Sequence, residues 1–195
     1  MTSSFRNTQI LLAALALSAI LACGGGGGGS SAPPAKTLAD TLTYTNPVSG
    51  TYTLVKNIAK STPTHLVLDL VGPPGNVSGA GFYLTADQTK VTWTTVDSGD
   101  PEKVKSATFS TTIVKSKVSS DTLQAGVYQK GTTAAVAVTS ATVLASIALD
   151  LKGSIPVNSS VTLSAVAGKA VILNPPGNPT ATTSITISVG TLTAN

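Results

Sequence analysis

The chain has 195 residues, of which 10% are charged and 42% hydrophobic, with a formal net charge of +4. Thr, Val, Ser and Ala dominate, a composition that suits pleated sheet and leaves too little Glu, Lys, Arg and Leu for long amphipathic helices. Arg6 is the only arginine and Cys23 the only cysteine, which excludes the arginine forks of a nucleic-acid reader and any disulfide framework within the chain.

Arg6 precedes an apolar run from Ile10 to Ala22. Its length is that of a signal-peptide core and is short for a membrane-spanning helix. The run ends in Ile20-Leu21-Ala22-Cys23, which resembles the lipobox of bacterial lipoproteins, with Leu21 standing where a smaller residue is more usual. The resemblance implies a diacylglyceryl group on the Cys23 sulfur and cleavage just before it. Residues 1–22 are therefore expected to be a signal peptide. Residues 23–36 read as a lipidated tether rich in Gly, Ser and Pro, because Gly24 to Gly29 and Ser30 to Pro34 carry almost no surface to bury. Loss of Arg6 leaves about +3 of the +4 on the mature chain. The expected location is exported and lipid-anchored, at the bacterial outer membrane or cell surface. Gly24 in place of Asp after the cysteine favours the outer membrane by resemblance to lipoprotein sorting.

The domain is expected over residues 37–195. Two weak strands are predicted around Leu42 to Thr45 and Thr51 to Ile58. From Thr64 to Val71 the side chains alternate, with Leu66, Leu68 and Leu70 on one buried face and His65, Val67 and Asp69 on the other. Gly72-Pro73-Pro74-Gly75-Asn76 ends this strand. Gly79 to Thr85 follows, with Phe82 and Leu84 facing one way and Tyr83 the other. Lys90 to Val96 places Val91 and Trp93 on one face. An acidic loop, Asp97 to Glu102, leads into a long strand pattern from Val104 to Val114 that contains Phe109.

Gly126 to Lys130 reads as a short strand. The alternation of Val143, Ala145, Ile147, Leu149 and Leu151 against Leu144, Ser146, Ala148 and Asp150 is the clearest in the chain. Val161 to Ala165, a brief Ala170 to Leu173, and a closing strand through Ile185, Ile187 and Val189 complete the set. The reading is all-β: a β-sandwich of about nine strands with turn signals between them.

The order of these features resembles cohesin modules and the related carbohydrate-binding sandwiches. Leu66-Val67-Leu68-Asp69-Leu70, a Gly/Pro turn, and Gly79 to Leu84 ending at Ala86-Asp87 look like the early cohesin strand pair. Ala86 departs from it, standing where an aromatic is usual. Ala145 to Leu151, with Gly153, Pro156 and Val161-Thr162-Leu163, is similar to a later pair, and Ile185 to Leu192 to the closing strand. The resemblance implies a cohesin-like jelly roll, in which one sheet face docks a pair of helices on a partner protein.

Groups for chemistry are few. His65 is the only histidine, so a histidine-based metal cluster is excluded. His65 and Asp69 share a strand face, but no nucleophile elbow accompanies them. The acidic residues form no recognisable glycosidase pair. Asp97, Asp100 and Glu102 are weak candidates for oxygen ligands to calcium, set against a solvated acidic turn. Tyr83, Trp93 and Tyr128 are candidates for a ligand-binding face, with Trp93 also reading as core because it shares a face with Val91. Lys103, Lys105, Lys115 and Lys117 alternate, either as one basic sheet face or as edge-strand lysines that block aggregation.

The sequence thus reads as a non-enzymatic surface lipoprotein without cofactor. It is expected to meet the membrane through Cys23 and a protein partner through a cohesin-like domain. The alternatives are a carbohydrate-binding module with a polysaccharide ligand, and a passive envelope-structural lipoprotein.

Overall fold

The computed structural model describes residues 35–109, 112–131, 134–173 and 181–195. Cys23, the signal segment and the tether as far as residue 34 lie outside the described residues. Among the described residues every regular element is a strand. The first half of the chain forms β1 (Leu42–Thr45), β2 (Tyr52–Lys56), β3 (His65–Val71), β4 (Gly75–Val77), β5 (Gly79–Ala86), β6 (Val91–Thr94), β7 (Val104–Lys105) and β8 (Thr112–Ser119). The second half forms β9 (Thr122–Gln129), β10 (Val136–Val138), β11 (Val143–Leu151), β12 (Ser159–Val161), β13 (Leu163–Leu173), β14 (Thr182–Ser184), β15 (Ile187–Ser188) and β16 (Thr191–Ala194).

Two large sheets make a β-sandwich. One runs β15-β2-β3-β11, with β6 and β7 end to end along the far side of β11. The other runs β14-β13-β5-β9-β8. Small sheets β1-β16-β12 and β10-β4 close the ends, and every pairing is antiparallel except β15 with β2. Between the layers, Leu66, Leu68, Leu70, Trp93, Ile147 and Leu149 from the first sheet join Phe82, Leu84, Leu123, Val127 and Ile172 from the second in one core cluster. Trp93 ties the layers together: its indole N–H donates to the Asp121 carbonyl in the β8–β9 turn at 3.0 Å.

The structure departs from simple alternation in four places. β3 is buried on both faces, because Val67 (0% exposed) packs under Val96 and beside Ala148 in a second small cluster. In β11 a bulge between Val143 and Ala145 turns Leu144 inward to 1% exposure, against the alternation that set it opposite Ala145. The expected long strand from Val104 to Val114 is two strands in different sheets: β7 pairs β11 and β8 pairs β9, with Phe109 buried in the stretch between them. The expected closing strand is also divided, since Ile187 belongs to β15 on β2 while residues from Thr191 form β16 on β1. The division falls at Gly190, whose backbone lies so close to Thr45 that a side chain there would overlap the Thr45 carbonyl oxygen.

Candidate functional site

The outer faces of the two large sheets differ. On the β3–β11 sheet the outward residues are covered by two loops. Asn57 N–H and Ser61 Oγ–H donate to the Val67 carbonyl, and Ser61 Oγ accepts the Val67 N–H at 3.0 Å. Beside them Asp69, 6% exposed, accepts from Asn57 Nδ2 at 2.9 Å and Ser146 Oγ at 2.6 Å. The covering turn is clasped to the acidic loop: Asp97 lies 2.8 Å from Lys60 Nζ and 2.7 Å from Lys105 Nζ. Hydrogen bonds from Lys105, then Lys60, hold the Asp97 carboxyl down at about 2.

The metal candidates therefore have other partners. Asp97 and Asp100 share Lys105, with Asp100 at 3.1 Å. Glu102 points away to β8, where the Ser116 N–H and Oγ–H donate to it at 2.7 and 2.6 Å and, chiefly through that hydroxyl, lower its carboxyl. Among the described residues no three His, Cys, Asp or Glu side chains converge.

His65 meets a different carboxylate from the one on its own strand. Its Nδ1 is 2.6 Å from Asp150 Oδ1, across the β3–β11 pair, and its Nε2 is 3.3 Å from the Val96 carbonyl oxygen. Both ring nitrogens face acceptors of the closed sheet face.

The outer face of the β8–β9–β5 sheet carries no such cover among the described residues. Register puts Ile113, Tyr128 and Gly79 in one row across it, Lys115, Gly126 and Gly81 in the next, and Lys117, Gln124 and Tyr83 in the third. Three of these nine positions are glycine, and the Tyr128 ring lies over all three. A methyl group built at Gly126 would fall 2.5 Å from Tyr128 Cε2, at Gly81 2.5 Å from its hydroxyl oxygen, and at Gly79 2.6 Å from Cδ1. The ring is thus laid along the sheet on bare backbone, a cross-strand pairing in which an aromatic shields strand glycines. Burial, and secondarily the neighbouring Tyr83, raises the Tyr128 phenol above its ordinary value. Beside it runs a shallow groove of about 220 Å³ lined by Tyr83, Lys115, Lys117, Gln124 and Tyr128.

Of the three expected ligand-face aromatics, the structure brings Tyr83 and Tyr128 together and removes Trp93. Trp93 is 3% exposed and packs between the sheets on the same side as Val91, so it offers no surface platform. The four alternating lysines do not form one face either, because the chain changes sheets between them. Lys105 joins Asp97 and Asp100, the Lys103 ammonium donates to the Trp93 carbonyl at 2.8 Å, and Lys115 and Lys117 stand outward on edge strand β8. The glycine bed was not recognised from sequence. Its signal is Gly79-Ala80-Gly81 in one strand and Gly126-Val127-Tyr128 in another, glycines at period two with an aromatic in step.

No protein-family model and no curated protein matches the chain. Solved structures do. The sixth cohesin of scaffoldin B from Acetivibrio cellulolyticus, solved in complex with a Cel5 dockerin mutant, superposes with a TM-score of 0.51 over 73% of this chain and 97% of its own, at 16% identity. The fold is a cohesin-like β-sandwich. Two further cohesins are similar. The type II cohesin A11 of Bacteroides cellulosolvens has a TM-score of 0.47 at 15% identity, over 74% of this chain and 99% of its own. The cohesin module of a Clostridium perfringens family 33 glycoside hydrolase has 0.44 at 14%, over 72% and 98%.

Proposed function

We propose that the chain is a non-catalytic protein-interaction module that docks a partner on the open β8–β9–β5 face. The observation that carries this reading is the contrast between the two sheet faces. One is sealed by hydrogen-bonded loops over Val67 and Asp69, whereas the other presents Tyr83, Tyr128 and exposed Ile113 over a glycine floor. A tyrosine already fixed in place loses little side-chain freedom on binding, which favours such residues as anchors. The cohesin-like fold supports the reading, since a scaffoldin cohesin with that fold was solved holding a dockerin.

The test uses the Ala35–Asn195 unit, which contains every described residue of the core. Immobilised, it is offered the envelope and secreted fractions of its own source. One partner should be enriched by the wild type and lost with Tyr128→Ala; capture indifferent to Tyr128→Ala removes the docking face from the proposal.

We also propose that the domain is presented from a membrane by lipid on Cys23, a reading supported by the apolar run and the lipobox-like Ile20 to Cys23. Incorporation of a labelled fatty acid, abolished by Cys23→Ser, is the expected result. A second reading, glycan binding, draws support from the adjacency of Tyr83 and Tyr128 in one groove. A sugar panel in which Tyr83→Ala and Tyr128→Ala both lose a ligand would favour it over the first.

A further inference from the structure

The charge of the open face singles out a kind of partner, and this inference rests on the docking reading above. The outward side chains of β8 are Ile113, Lys115, Lys117 and Ser119, all exposed. The facing positions on β9 and β5 are Tyr128, Gly126, Gln124, Gly79, Gly81 and Tyr83, none of them acidic. Elsewhere Lys36 pairs with Asp40, Lys60 and Lys105 with Asp97, and Lys90 with Asp87, whereas Lys103 and Lys152 donate to backbone carbonyls. On the open face the neutralisation is incomplete. Lys115, with its side chain 79% exposed, has only Glu102 at 3.6 Å, and that carboxylate already accepts twice from Ser116. Among the described residues Lys117 makes no ion pair.

We propose that the partner is an acidic polypeptide segment lying along β8 and β9, with carboxylates meeting Lys115 and Lys117 and an apolar side chain seated against Tyr128 and Ile113. The two lysines stand two residues apart on a strand, about 7 Å. Carboxylates four residues apart on a helix, about 6 Å along its axis, match that spacing. The competing role for these lysines is to guard the free edge of the sheet. Charge reversal separates the two roles, because glutamates guard an edge as well as lysines do but repel an acidic partner.

The experiment compares two synthetic helical peptides, one with Glu at positions i and i+4 flanking a Leu and one with Lys in their place, binding to the Ala35–Asn195 unit by fluorescence anisotropy. The Glu peptide should bind at least about tenfold more tightly than the Lys peptide, with an advantage that shrinks as salt rises. The Lys115→Glu, Lys117→Glu variant should reverse the preference. A Lys56→Glu, Lys152→Glu variant, which changes net charge equally away from this face, should leave it intact. Failure of the Glu peptide to bind, equal loss in both variants, or indifference to reversal on β8 overturns the proposal. Envelope capture keeps the two readings apart. If Tyr128→Ala loses the captured partner and the β8 reversal retains it, the docking face stands and the acidic partner falls. If neither variant changes capture, both fall.

Discussion

The ring of Tyr128 on β9 fills the space that a side chain at Gly81 on β5 would need: a methyl group there would lie 2.5 Å from the tyrosine hydroxyl oxygen. The conflict is with the far end of a flexible side chain, so the ring can swing away while the sheet stays paired. Gly81→Ala should therefore fold, with stability changed by no more than about 1 kcal/mol, as the entropy gained by replacing glycine offsets the lost packing. The displaced ring should be more exposed, and its phenol, raised from 10.0 by burial and then by Tyr83, should move back towards that value. Spectroscopic titration of the tyrosines reads this directly. An unchanged titration curve would mean that the ring keeps its place and the glycine is dispensable.

Gly190 makes the opposite case. Here a side chain would meet the Thr45 carbonyl oxygen, which is backbone held in the β1–β16 pair and cannot swing aside. The Gly190 N–H also donates to the Tyr44 hydroxyl at 2.6 Å, and that hydroxyl donates to the Leu54 carbonyl at 3.0 Å, joining the small end sheet to β2. Gly190→Ala should lower stability by about 3 kcal/mol, well beyond Gly81→Ala. Denaturant unfolding followed by the emission of the single tryptophan, Trp93, measures both. Equal midpoints for the two variants would contradict the distinction between a backbone and a side-chain obstacle.

The elements most legible in the sequence were those with one buried face and one wet face. In β5, Phe82 and Leu84 are buried and Tyr83 is not, as alternation required. Alternation fails where a strand is covered twice, because Val67 and Asp69 owe their burial to loops from other parts of the chain. It also fails across Phe109. No turn residue interrupts the sequence there, but hydrogen-bond partners more than 10 residues away assign Val104 to one sheet and Val114 to the other. The candidate site was half legible. Tyr83 and Tyr128 stand out by residue type, while the glycines beneath Tyr128 carry no signal of their own in the local pattern. Their meaning depends on a register between strands that local pattern does not carry.

Ser146 and Asp69 test how tightly the closed face is sealed. Asp69 is 6% exposed, and its carboxylate has two donors, Ser146 Oγ at 2.6 Å and Asn57 Nδ2 at 2.9 Å. Removing one leaves a buried anion short of a partner, so Ser146→Ala should cost about 1–3 kcal/mol. Asp69→Asn removes the charge and keeps the shape, and should make the later loss of Ser146 cheaper. A double-mutant cycle on unfolding free energies checks this coupling. Strictly additive losses would show that water reaches the carboxylate in the variants and that the loops do not seal it.

The clasp over that face should open in acid. Asp97 sits between Lys105 and Lys60, and their hydrogen bonds, that of Lys105 first, hold its carboxyl at about 2 instead of 3.8. A carboxyl lowered in the folded state contributes stability that is fully present above its unfolded value and is lost as pH falls through the folded one. Lys105 is raised from 10.5, by Asp97 first and then Asp100, so its share is fully present below 10.5 and is lost above that. The clasp is therefore intact from about pH 4 to pH 10 and opens between about pH 4 and pH 2. Opening should free the turn that covers Val67 before the core fails, because the core has no ionisable group between its sheets among the described residues other than Tyr44. Hydrogen exchange at the Val67 amide, corrected for intrinsic rate, should show protection at about pH 6 that is lost near pH 2 while Trp93 emission stays that of the folded protein. Asp97→Asn should show the weakened protection already at the higher pH. Protection that survives acid unchanged would assign the closure to the Ser61 and Asn57 hydrogen bonds alone.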